Sequence, residues 1–101
     1  MTVHTAQRPF EVAKEVAKLA RAILGGGTRV VWFGSWVRGA AAARSDLDIA
    51  VSIGTPIPPE VMAELRGAVE ELPTLYKIDL MDFSAAGSAL RAEVVSNGMT
   101  L

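Results

Sequence analysis

Apolar residues in this chain recur with two rhythms, one near the helical repeat and one of every second residue. From Phe10 to Leu24, Val12, Val16, Leu19, Ala20 and Ile23 fall at helical spacing, while Glu11, Lys14, Glu15, Lys18 and Arg21 are turned away. Pro9 suits the first turn of this helix and Gly25-Gly26-Gly27 stops it. Thr28–Phe33 is a nearly unbroken β-branched and aromatic run, which predicts a buried strand. After a Gly34-Ser35 turn, Trp36–Ala43 predicts a short alanine-rich helix. Asp46–Ile53 alternates cleanly, with Asp46, Asp48, Ala50 and Ser52 on one strand face and Leu47, Ile49, Val51 and Ile53 on the other. Pro59 opens a further helix to about Leu72, with Val61, Met62, Leu65, Ala68 and Val69 inward, and Pro73 closes it. Leu75–Phe83 reads as a third strand. Ser84 then caps a last helix bearing Ala86, Leu90 and Val94, which Asn97-Gly98 ends.

The order α-β-α-β-α-β-α predicts one α/β (α+β) domain over residues 9–101, behind a flexible N-terminus of residues 1–8. Gly34 and Ser35 lie at the end of the first strand, Asp46 and Asp48 at the start of the second. Only an antiparallel pair brings these two groups to one end of the sheet. The helix of 59–72 is long enough for a crossover, so the second and third strands can run parallel, with Asp79 beside Asp48. A small mixed sheet follows, with helices packed on its apolar face and carboxylates on the more open one.

Composition narrows the function classes. At 101 residues the chain is of common single-domain size. A net charge of -1 gives no support to a nucleic-acid-binding surface, so no direct DNA binding is expected. No apolar run reaches membrane-spanning length. The absence of cysteine excludes disulfides and thiolate metal sites and suits a cytoplasmic protein. Half of the residues are hydrophobic, which in so small a domain predicts apolar surface covered by a partner or a second copy.

Asp46 and Asp48 stand out because aspartate is a poor strand former, and local rules broken without local benefit mark functional sites. The plain alternative is a solvated polar strand face. Asp79, between Ile78 and Leu80, would be a costly buried charge unless a metal shares it; Asp82 fits the role of a charge guarding an edge strand. Hard carboxylate oxygens suit Mg²⁺ or Mn²⁺, with nucleotide phosphates completing the shell, and a pair of such ions clamps the entering and leaving oxygens of an in-line displacement. Gly34 lets a phosphate approach the backbone and Ser35 can both cap the helix and donate to phosphate. Arg38 and Arg44 either neutralise phosphate or are ordinary surface cations, and Lys77, on the strand face of Asp79, either contacts phosphate or pairs with that aspartate. Ser45 either joins the nucleotide site or caps the turn into the second strand. Trp32 reads as core, whereas Trp36 packs in the core or stacks on a base or a partner. His4 has no assigned role.

Assembled, the pattern resembles the minimal nucleotidyltransferases of the DNA polymerase β-like superfamily. The matching residues are Gly34-Ser35, Arg38-Gly39, Ser45-Asp46-Leu47-Asp48-Ile49-Ala50-Val51 and Lys77-Ile78-Asp79-Leu80. The resemblance implies the nucleotidyltransferase fold. It implies Asp46, Asp48 and Asp79 as catalytic metal ligands for two Mg²⁺ ions, and Gly34 and Ser35, with Arg38 and Ser45, as nucleotide ligands. The implied reaction moves a nucleoside monophosphate, generally AMP from ATP, onto a hydroxyl. The implied setting is an antitoxin whose partner is a helical HEPN-domain toxin. Two features depart from the family pattern: the run Ala40–Ala43 where polar residues are frequent, and the lack of a further domain for the acceptor. Two other functions stay open, a module that neutralises a helical partner by contact alone and a transferase acting on a small molecule or antibiotic.

Overall fold

The computed structural model describes residues 7–42 and 45–101. Most of the expected flexible N-terminus, including His4, lies outside the described residues, as do Ala43 and Arg44. Helix α1 runs Gln7–Leu24, so Gln7 and Arg8 belong to it and Pro9 sits buried inside its first turn. The remaining elements are β1 (Arg29–Phe33), α2 (Ser35–Arg38), β2 (Leu47–Ser52), α3 (Pro59–Glu70), β3 (Ile78–Asp82), a 3-10 turn (Phe83–Ala85), α4 (Ser88–Asn97) and β4 (Met99–Thr100). No described helix is long and apolar enough to cross a membrane.

The sheet order is β3-β2-β1-β4. As the placement of Gly34 and the aspartates requires, β1 and β2 are antiparallel, with Phe33 opposite Asp48. Strands β2 and β3 are parallel, with Asp48 opposite Asp79. One sheet face presents Val30, Trp32, Leu47, Ile49, Val51 and Leu80 to Val12, Val16 and Ala20 of α1 and to Met62, Leu65 and Val69 of α3. This is the main core. The other face is not wholly open: α4 lays Val94 over Phe33 and Ala50, with Val31, Met81 and Phe83 packed around them. The carboxylates occupy the part of this face that α4 leaves uncovered.

Several elements are shorter than periodicity suggests. Helix α2 ends at Arg38 because Gly39 adopts a left-handed conformation (φ 75°). There the N–H groups of Ala40 and Gly39 bond the carbonyls of Ser35 and Trp36 at 2.9 and 3.2 Å. That closing motif overrides the helix propensity of the alanines beyond it. Strand β3 begins at Ile78 rather than Leu75, since its partner β2 begins only at Leu47, whose N–H bonds the Lys77 carbonyl at 2.9 Å. Strand β4 was not foreseen. Two residues carry no periodicity, and their pairing with Val31 and Trp32 depends on the rest of the sheet being in place.

Asp82 lies on the edge strand as expected, but its carboxylate is put to structural use. One oxygen accepts from Ser84 N at 2.9 Å and starts the 3-10 turn; the other accepts from Ile57 N at 2.8 Å and pins the loop before α3. Ser84 is therefore not the cap of the last helix, which begins after Gly87. Asp82→Ala orphans two partly buried N–H groups and should cost about 2 kcal/mol. In a domain of this size that lowers Tm by roughly 10 °C, measurable by thermal denaturation.

Candidate functional site

Gly34 links β1 to α2 with φ 89° and ψ −158°, a backbone region that is essentially glycine-only. A side chain there would also collide with the Asp48 carboxylate: a Cβ would stand 3.2 Å from the Asp48 Cβ and run into Oδ2. Both properties demand glycine. The result is a carboxylate seated directly against the turn, which neither strand could achieve alone.

Around this contact lies a hollow of about 390 Å³. Its polar lining is Gly34, Ser35 and Arg38 from the turn and α2, Asp48 and Asp79 from neighbouring parallel strands, and Glu93 from α4. Phe33, Met81 and Leu90 supply the apolar walls. Five of the seven expected site residues therefore share one cavity. Asp46 does not line it; it stands just ahead of β2 and acts on Asp48 through its charge. Ser45 does not line it either. Its hydroxyl accepts from the Ala42 N–H at 2.9 Å and closes the turn into β2, the structural alternative for this residue.

The Asp48 carboxyl is pushed above the ordinary carboxylate value of 3.8. Burial is the chief cause; the negative charges of Asp79 and then Asp46 add to it, and Arg38 opposes them. The fold thus holds like charges together with little internal compensation. Among the described residues, Asp46, Asp48 and Asp79 make no ion pair. Lys77, exposed just ahead of β3, does not pair with Asp79. Asp79 is itself exposed rather than the buried charge its apolar neighbours suggest, because it stands on the open face of an edge strand.

Arg38 has instead been drawn to α4, where its Nη1 donates to the Glu93 carboxylate at 2.8 Å. Glu93 is held in turn by Asn97 Nδ2 at 3.3 Å. The pair is half in solvent and adds little stability, but it places the guanidinium at the rim of the hollow. Glu93 escaped sequence reasoning because it lies 55 residues from Arg38 and on a helix with only one buried residue. Trp36 proves to be a packing residue: its ring meets Tyr76 edge-on and its Nε1 donates to the Ser45 carbonyl at 2.9 Å.

A divalent metal fits this donor set. No group of three carboxylate, imidazole or thiolate side chains converges among the described residues. Magnesium bound together with a nucleotide needs no such cage, since one or two carboxylates, phosphate oxygens and waters fill its shell. Asp48 and Asp79, hard oxygen donors side by side in the β2–β3 register, would supply those two carboxylates. Helix α2 is a single turn and carries little macrodipole. Attraction for a phosphate at this site would therefore come mainly from Arg38, Ser35 and the turn itself.

A family model described as polymerase beta, nucleotidyltransferase, matches residues 28–101. No protein of curated function matches the sequence. Among solved structures, a chain of a toxin–antitoxin complex with AMP-PNP is similar at 26% identity and TM-score 0.65, over 87% of this chain and 70% of that one. A chain of the complex between a tri-AMPylated Shewanella oneidensis HEPN toxin and its MNT antitoxin shares the fold, at 23% identity and TM-score 0.61. That alignment covers 91% of this chain and 70% of the other. A minimal nucleotidyltransferase superposes over the full length of both chains, at 24% identity and TM-score 0.74.

Proposed function

From the premise that this chain belongs to the polymerase β nucleotidyltransferase family, we propose that it is the antitoxin of a toxin–antitoxin pair. In this reading it transfers AMP from ATP, with Mg²⁺, to a hydroxyl of a helical HEPN-type partner. The observation that carries the reading is the pairing of Asp48 with Asp79 at a hollow bounded by Gly34 and Ser35. Bound Mg²⁺, held by Asp48 and Asp79 with Asp46 nearby, would neutralise charge on the phosphates and polarise them.

The chain's own residues do the rest. Gly34 gives the triphosphate room at the backbone, Ser35 donates a hydrogen bond to a phosphate oxygen, and Arg38 offsets phosphate charge from the rim. Asp79, facing the acceptor side, takes the proton of the attacking hydroxyl. The hydroxyl oxygen bonds to the α-phosphorus, the bond from that phosphorus to the bridging oxygen breaks, and pyrophosphate leaves. Phe33, Met81 and Leu90 form the apolar walls, and because Leu90 is 40% exposed, exclusion of competing water would fall to the bound partner. A second hollow of about 500 Å³ adjoins this one across Met81 and Leu90. A protein acceptor is preferred over a small molecule because a similar chain, at 26% identity, comes from a toxin–antitoxin complex with AMP-PNP.

The test is incubation with ATP labelled at the α-phosphate, Mg²⁺ and the helical protein encoded beside this one. Label should appear on the partner with wild-type chain and disappear with Asp79→Asn. A partner silenced equally by Asp79→Asn, without label, would show that contact alone accounts for antitoxin action.

A further inference from the structure

We propose that Trp36 is a positioning residue that locks the phosphate side of the site to its carboxylate side at one fixed spacing. The inference rests on the nucleotidyltransferase reading and adds a residue to it. Trp36 follows Ser35 on α2, so its backbone belongs to the phosphate side. Its side chain reaches across to the other side. There Nε1 donates to the backbone carbonyl of Ser45 at 2.9 Å, the residue directly before Asp46. The same indole meets the ring of Tyr76 edge-on, with centroids 5.8 Å apart and an interplanar angle of 87°. Tyr76 precedes Lys77, whose carbonyl takes the Leu47 N–H where the β2–β3 ladder begins. One side chain therefore touches the three segments that carry Ser35, Asp46–Asp48 and Asp79.

The β1–β2 ladder already sets the Gly34 turn against Asp48, through the Phe33–Asp48 pairing and the close Gly34–Asp48 contact. Beyond that turn, the other hydrogen bonds of the described residues between α2 and β2 are local: Gly39 N to the Trp36 carbonyl, Ala40 N to the Ser35 carbonyl, Ser45 N to the Ala42 carbonyl, and Ala42 N to the Ser45 hydroxyl. They shape the segment, and the indole is what fixes the body of α2 to the start of β2. An indole is suited to the task because it is rigid, fills space as a phenylalanine ring does and, unlike phenylalanine, carries a donor at its edge. The spacing matters because phosphate held near Ser35 must reach the carboxylates, and a misplacement of about 1 Å can cost roughly 100-fold in rate. This also explains a tryptophan beside the Gly-Ser turn whose indole faces inward rather than into the hollow.

The decisive measurement is ATP affinity with and without Mg²⁺, by calorimetry on the full chain, in wild type and Trp36→Phe. Phenylalanine keeps a ring against Tyr76 and removes the N–H donor. Metal-free affinity should be unchanged in the variant, the thermal midpoint should stay within a few degrees, and the gain in affinity from Mg²⁺ should shrink about tenfold. A gain equal to wild type, or a loss that is the same with and without Mg²⁺, would overturn the role of Trp36. Should the variant not fold, 3-benzothienylalanine at position 36 keeps the indole shape without the donor, and the same two outcomes decide. Wild-type protein whose ATP affinity does not respond to Mg²⁺ would overturn the nucleotidyltransferase reading itself, and the proposal with it.

Discussion

Asp48→Asn should cripple the proposed transfer while making the metal-free protein more stable at neutral pH. The two effects share one origin. Burial, Asp79 and Asp46 raise the Asp48 carboxyl above its ordinary value of 3.8. The folded state therefore disfavours the ionised form that metal binding requires. Because the folded value is the higher one, this carboxyl contributes stability fully below pH 3.8 and loses that contribution as pH rises through the raised value. Asparagine carries no charge to disfavour, so its advantage should be present at pH 7 and vanish in acid. Thermal denaturation in a chelator, run across that pH range, tests it. A midpoint several degrees lower for Asp48→Asn at pH 7 would mean that the carboxylate is a structural group. For transfer, losing several kcal/mol of electrostatic stabilisation in the transition state corresponds to a rate drop of about 1000-fold.

Gly34→Ala should be strongly destabilising for a single added methyl. Its backbone conformation alone costs of order 1–3 kcal/mol for any residue with a side chain. The new Cβ must in addition push the Asp48 carboxylate off the turn and toward the hollow. A total of about 3 kcal/mol or more would lower Tm by well over roughly 10 °C in a domain of this size. The two contributions can be separated. In Gly34→Ala/Asp48→Ala the carboxylate is gone, so the collision disappears and only the backbone cost remains. The double variant should then be less destabilised than the two single losses added together, a coupling that a double-mutant cycle reads directly. Additive effects would mean that the Gly34–Asp48 contact is not what makes the glycine necessary.

Much of the site was legible because β periodicity is a local property. Once Asp46–Ile53 alternates, the backbone itself puts Asp48 on the face opposite Leu47 and Ile49. The position of Gly34-Ser35 at the end of β1 then forces an antiparallel β1–β2 pair if the two groups are to meet, and the meeting is found. Asp79 beside Asp48 follows from a crossover of helical length between parallel strands. Where the prediction overran, a local signal met a partner or a closing motif: Gly39 cut the alanine helix short, and β2 set where β3 could start.

What the sequence alone determined is thus the set of elements, the antiparallel–parallel strand arrangement, and two carboxylates and a glycine turn at one end of the sheet. Only the tertiary structure decided which side chains enter the hollow. It placed Asp46 and Ser45 outside, joined Arg38 to Glu93 across 55 residues, set α4 over half of the carboxylate face, and turned the Trp36 indole toward Ser45. It likewise spent Asp82 on two backbone N–H groups rather than leaving it to guard an edge. The division has a physical reason. Backbone geometry makes the facing of a residue depend on its near neighbours, so the pattern carries it. Which donor meets which acceptor depends on the distance between elements, and packing alone sets that distance.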